Sequence, residues 1–169
     1  MKYIRTALAV GATLGAGLVA LSVPASAAVP ACGNSSLAYS RTSLDGAAGT
    51  ISFALQYKNI THATCSLRGY PGLDAVDSHN AVIAHATRTV SGMAGGASHG
   101  VQTINLAPGA YASATVEWSD IDRNGVQCRN SAAINTIAPN TTKLVHWPLS
   151  VTNCALQVHP VVGGWTGRG

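Results

Sequence analysis

Ile51-Ser52-Phe53-Ala54-Leu55-Gln56-Tyr57-Lys58 places a large apolar side chain at every second position. Successive side chains of a β-strand point to opposite faces, so this period buries one face and leaves the other wet. Tyr111-Ala112-Ser113-Ala114-Thr115-Val116-Glu117-Trp118 alternates in the same way, with Ala112, Ala114, Val116 and Trp118 inward. Shorter runs of the same kind are Leu37 to Tyr39, Leu73 to Val76, Ala81 to Ala84, Val101 to Leu106, Ile134 to Ile137, Thr142 to Trp147 and Ala155 to His159. Between them stand Asp45-Gly46, Pro71-Gly72, His79-Asn80, Pro108-Gly109, Asn124-Gly125 and Pro139-Asn140, all turn formers. After residue 27 no stretch sustains a 3.6-residue period with caps. The pattern predicts an all-β, immunoglobulin-like antiparallel sandwich of seven to nine short strands.

The chain opens on a short basic segment, Met1-Lys2-Tyr3-Ile4-Arg5, followed by an uncharged run from Thr6 to Leu21. Pro24 then precedes Ala25-Ser26-Ala27, small residues of the kind a signal peptidase reads. This predicts a secretory signal peptide over 1–27, a β-domain over 28–162 and a flexible glycine-rich tail over 163–169. The apolar run is short of the roughly 20 residues that span a bilayer. The alternative is a lipoprotein anchored through Cys32, which follows Val29-Pro30-Ala31; Pro30 and the distance from the apolar run argue against it. Two of the ten Lys and Arg, Lys2 and Arg5, lie in the leader. Eight then face six Asp and Glu, a net +2 with no basic cluster, which speaks against nucleic-acid binding. Charged residues make up only 9% of the chain, well under the usual quarter.

All four cysteines, Cys32, Cys65, Cys128 and Cys154, follow the leader. An even number in an exported chain reads as two disulfides. Three pairings are open; Cys32 with Cys65 and Cys128 with Cys154 is favoured because neighbours in sequence close the shorter loops. Zinc-finger and redox spacings are absent, and no cofactor is expected.

Four features carry possible chemistry. Gly96-Ala97-Ser98-His99-Gly100 matches the G-x-S-x-G elbow of serine hydrolases, but that motif needs a strand-to-helix turn, and a strand is expected next. The histidines His62, His79, His85, His99, His146 and His159 show no metal-ligand spacing and read as solvated loop or edge residues, unless distant strands bring them together. Asp120-Ile121-Asp122-Arg123-Asn124-Gly125 faintly suggests a calcium loop; Ser131 stands where an acid is required, so a polar hairpin is expected, with Arg123 neutralising a carboxylate. Of Trp118, Trp147 and Trp165, the first is in phase with the core, and only Trp165 is a plausible exposed aromatic for a sugar. Asn34-Ser35-Ser36, Asn59-Ile60-Thr61 and Asn140-Thr141-Thr142 fit the glycosylation triplet and read as surface loops.

Thr64-Cys65-Ser66-Leu67-Arg68-Gly69-Tyr70-Pro71-Gly72 is the most specific stretch. It resembles the C-x-L-x-G-Y-P-G signature of domain of unknown function 4232, found in exported actinobacterial proteins. Cys32, Gly46-Ala47-Ala48-Gly49, Ala107-Pro108-Gly109, Cys128 and Cys154 also fit, so the resemblance runs from about Cys32 to Pro160. It implies a secreted or envelope-associated β-sandwich and no activity. Physically the motif is a corner: Gly69 and Gly72 reach backbone angles other residues avoid, and Pro71 fixes a turn.

The reading that follows is an exported, non-catalytic domain of unknown function. It would be a binding or interaction module in the medium or at the cell envelope, with an unknown partner, an envelope protein or a glycan. The alternatives are a secreted serine hydrolase using Ser98 and a carbohydrate-binding module.

Overall fold

A computed structural model describes residues 27–90, 92, 94, 97 and 99–169. The leader up to residue 26 and Ser98 lie outside the described residues. Within them the chain is all β, in thirteen strands rather than seven to nine. These are β1 (Leu37–Arg41), β2 (Asp45–Ala47), β3 (Thr50–Asn59), β4 (Cys65–Arg68), β5 (Gly72–Val76), β6 (Val82–His85), β7 (Thr87–Arg88), β8 (Thr103–Leu106), β9 (Tyr111–Ser119), β10 (Ala133–Ile137), β11 (Leu144–Trp147), β12 (Cys154–Val158) and β13 (Val162–Gly163). The nine expected strands are all present. The extra four are β4, which belongs to the cysteine corner, and three pieces of two or three residues. β12 and β13 both pair with β9 and are separated by Pro160, which has no N–H to give the ladder.

Seven strands form one sheet, in the order β1-β3-β9-β12-β7, with β2 beside β3 and β13 beside β9. Four form a second, β11-β10-β5-β6, and β4 pairs with β8. All pairings between strands are antiparallel except β7 with β12, where Thr87 and Arg88 run parallel to Gln157 and Val158. The centre is β3 against β9, in unbroken register from Thr50↔Ser119 to Lys58↔Tyr111. That register sets Phe53, Leu55 and Tyr57 beside Val116, Ala114 and Ala112 on one face. Leu73, Ala75 and Ile134 of the second sheet join the same buried cluster, so the two sheets share one core. Phe53 meets Trp118 edge-on with ring centroids 6.0 Å apart, and Tyr39 meets Tyr57 at 5.3 Å.

The disulfides join Cys32 to Cys65 and Cys128 to Cys154, the favoured pairing. Backbone bonds reinforce the first: Cys32 N–H donates to the Ser66 carbonyl and Ser66 N–H to that of Pro30. With its sulfur bonded to Cys65, Cys32 has no thiol for a lipid while that bridge stands. The corner after β4 takes the expected geometry at Gly69, with φ 109° and its carbonyl accepting from Val161 N–H, whereas Gly72, expected to do the same, opens β5 without a left-handed backbone.

Two segments cross the outer face of the seven-stranded sheet. One is the tail, which the sequence suggested would be loose. Gly164 N–H donates to the Tyr111 carbonyl, Ser113 Oγ to the Gly164 carbonyl, Gly167 N–H to Ser113 Oγ at 2.8 Å and Thr115 Oγ1 to the Gly167 carbonyl at 2.7 Å. The other is the strap after β7, of which Gly92 and Ala94 lie over Glu117.

Candidate functional site

The outward residues of β9 were expected to be wet. Under the tail and strap, Ser113, Thr115 and Glu117 are instead buried, at 0%, 4% and 0% exposure. Buried polar groups need partners. The tail backbone supplies them for Ser113 and Thr115. Glu117 accepts from Ala94 N–H and lies 3.3 Å from Nε2 of His159, a fully buried imidazole. The strap can lie this close only because residue 92 is glycine: a Cβ there would sit 1.6 Å from Glu117 Oε1. Sequence reading gave no sign of this pair, since Glu117 falls on the outward phase of its strand and His159 beyond the end of β12.

Between strap and tail a groove opens on the same face. Its larger part, about 500 Å³, is walled by Thr42, Leu44, Asp45, Ser52, Trp165 and Arg168. A hollow of about 350 Å³ continues it, sharing Asp45, Ser52 and Arg168 and reaching Ala94. Trp165 is 62% exposed, while Trp118 is buried and Trp147 half-buried against the core. The Trp165 backbone is nonetheless fixed, because Gln56 Nε2 donates to its carbonyl at 2.9 Å. Arg168 Nη2 stands 3.9 Å from Asp45 Oδ2, both side chains mostly in solvent. An aromatic face, a guanidinium, a carboxylate and hydroxyls thus border one groove on a rigid sheet.

A third hollow, about 620 Å³, lies beyond the strap and is bordered by Ser119, Ile121, Arg123, Ala155 and Gln157. Gln157 Oε1 is enclosed there without a hydrogen-bond partner among the described residues. The neighbouring Asp122 is committed to its own turn: its Oδ1 accepts from Val126 N–H and Asn124 N–H, which hold the carboxyl below its ordinary range. These amides do what Arg123 was expected to do. The segment is a hairpin turn closed by an Ile121↔Gln127 bridge.

Register brings together what sequence could not. His85, Asp74, Asn135 and His146 lie side by side across β6, β5, β10 and β11. His85 Nδ1 is 2.6 Å from Asp74 Oδ1, and His146 Nδ1 is 2.8 Å from Asn135 Oδ1. Both oxygens accept, so each ring carries its proton on Nδ1. Both histidines stand on edge strands and are exposed, as expected of edge residues. His62, His79 and His99 are exposed too. Among the described residues no three His, Cys, Asp or Glu side chains are placed to hold a metal ion. Asn59, read as a loop triplet, is instead fully buried at the end of β3, its Nδ2 donating to the carbonyls of Ala63 and Leu106.

Among known proteins, no curated protein and no solved structure matches the chain. A family model does: Domain of unknown function (DUF4232) matches residues 32–166, a span that runs past Pro160 to include Trp165.

Proposed function

The protein belongs to the family Domain of unknown function (DUF4232), and we infer what it does from the groove on its outer sheet face. The protein is an exported, non-catalytic binding module, and its ligand sits against Trp165. The observation that carries this reading is the exposed indole on a pinned backbone beside a polar groove. A large apolar face held in water contributes nothing to folding, whereas a ligand that covers it gains its burial at little ordering cost. Two disulfides and no free cysteine among the described residues suit an oxidising compartment outside the cytoplasm.

The test is retention on washed cell envelopes and in culture-medium fractions, comparing the protein with its Trp165→Ala variant. Trp165 is neither a member of the core cluster nor among the partly buried side chains packed against it, so the variant is expected to unfold at the same temperature but to lose retention. Equal retention of both proteins would overturn the reading.

A further inference from the structure

We propose that the ligand of this groove is a saccharide bearing a carboxylate, with Trp165 under a sugar ring and Arg168 on the acid. The proposal rests on the binding function inferred above and names the ligand's chemistry.

Arg168 follows Trp165 by three residues, and between them Gly167 is clamped to Ser113 and Thr115. The backbone from which indole and guanidinium project is therefore held by the sheet. At 3.9 Å, Asp45 is too far to hydrogen-bond Arg168 and acts only as a screened charge. No other acidic side chain lines either part of the groove. The guanidinium fork is thus available, and its geometry matches a carboxylate through two parallel N–H···O bonds. A sugar ring meets an indole face well, because its C–H groups face the negative ring surface. Thr42, Ser43 and Ser52 on the wall are the right chemistry for ring hydroxyls. A peptide acid would use Arg168 but gives a flat aromatic wall no particular partner, and a neutral sugar would leave Arg168 idle.

The test is titration with a polyuronate, a neutral glucan of equal length and a dextran sulfate, followed by calorimetry and indole fluorescence. The polyuronate is expected to bind about tenfold more tightly than the glucan, the scale of one charge-assisted pair. Arg168→Gln should bring the two to the same affinity, and Arg168→Lys should fall between, since it keeps charge but loses the fork. Trp165→Ala should remove both. Asp45→Asn should tighten polyuronate binding about two- to threefold by removing a repelling charge. Dextran sulfate bound as tightly as polyuronate would overturn the proposal, showing charge attraction without carboxylate recognition. Equal affinity for glucan and polyuronate, with both lost in Trp165→Ala, would overturn the acid preference and leave the binding function standing. Binding untouched by Trp165→Ala would overturn both. No saccharide binding at all would overturn this proposal, leaving the envelope-retention result to decide the broader one.

Discussion

Replacing Gly167 with alanine separates the groove from the fold. Gly167 has φ 78°, a left-handed conformation that costs a residue with a Cβ about 1–2 kcal/mol. The added methyl would also stand 2.6 Å from Thr115 Oγ1 and 3.0 Å from Ala54 Cβ. The tail can escape only by lifting, which breaks the hydrogen bonds to Ser113 and Thr115, worth about 1 kcal/mol each. Those bonds are lost on lifting in parent and variant alike, so the ratio moves by the φ strain and the overlap alone, the latter about 1–3 kcal/mol; the docked-to-lifted ratio shifts by about 3–4 kcal/mol, a few hundredfold. The core does not include the tail, and Ser113 and Thr115 become solvated when it lifts, so the domain should still melt cooperatively within a few degrees of the parent. Hydrogen exchange reads the effect directly: the amide at 167, protected by Ser113 Oγ, should exchange about thirtyfold faster in the variant, losing the protection that two bonds of about 1 kcal/mol give it, while the β3 and β9 amides do not change. Ligand affinity should fall about tenfold or more, because only the docked fraction binds. A variant whose amide at 167 stays protected, or one that lifts its tail and still binds normally, would refute the reasoning.

Three further outcomes follow from the geometry. Replacing both Cys128 and Cys154 with alanine should cost about 3.5 kcal/mol in urea unfolding, the chain-entropy value for a separation of 26 residues; a loss under about 1 kcal/mol would show that the 120–130 hairpin is held by its own turns. The Asp77 and Asp122 carboxyls are held low by backbone N–H groups, from Ala81 and His79 and from Val126 and Asn124 respectively, so the stability they add is present above the unfolded value of about 3.9 and is lost as pH falls through their lower folded values. Asp77→Asn with Asp122→Asn should therefore flatten the acid limb of a stability–pH curve, and an unchanged limb would contradict that origin. Nitrogen NMR of His146 should show the proton on Nδ1, and Asn135→Ala should release the ring to a mixture of tautomers; a ring already mixed in the parent would mean that Asn135 does not orient it.

The sandwich was legible because one face of each long strand carries its apolar residues in phase: Phe53, Leu55 and Tyr57 in β3, and Ala112 to Trp118 in β9. Pieces as short as Thr87–Arg88 and Val162–Gly163 carry no period and escape such reading. Cys65–Arg68 was hidden because its glycine-proline continuation reads as a turn, although its own residues pair with β8. The site was legible only in part. Trp165 stood out as an aromatic outside every strand, whereas Arg168 and Asp45 meet because two segments far apart in sequence fold onto one sheet face. Burial of Ser113, Thr115 and Glu117 was illegible for a similar reason. What covers them is the backbone of glycine- and alanine-rich segments, Gly164 and Gly167 on one side and Gly92 and Ala94 on the other, which leaves no hydrophobic period in sequence. The histidine row exists only through strand register, which pattern alone does not give.

Both disulfides join cysteines that are consecutive along the chain, at separations of 33 and 26 residues. A chain entering an oxidising space N-terminus first would present Cys65 to Cys32 before either of the other thiols arrived, and Cys154 would then meet Cys128 alone. The native bridges are the first ones possible at each step, so maturation would need an oxidant but little disulfide reshuffling. The pairing of β3 with β9 is different, because its partners lie further apart in sequence than either pair of cysteines and it must await the later strand. Covalent closure can thus run ahead of the sheet, and the long-range search for the central register would begin on a chain already shortened by its first bridge.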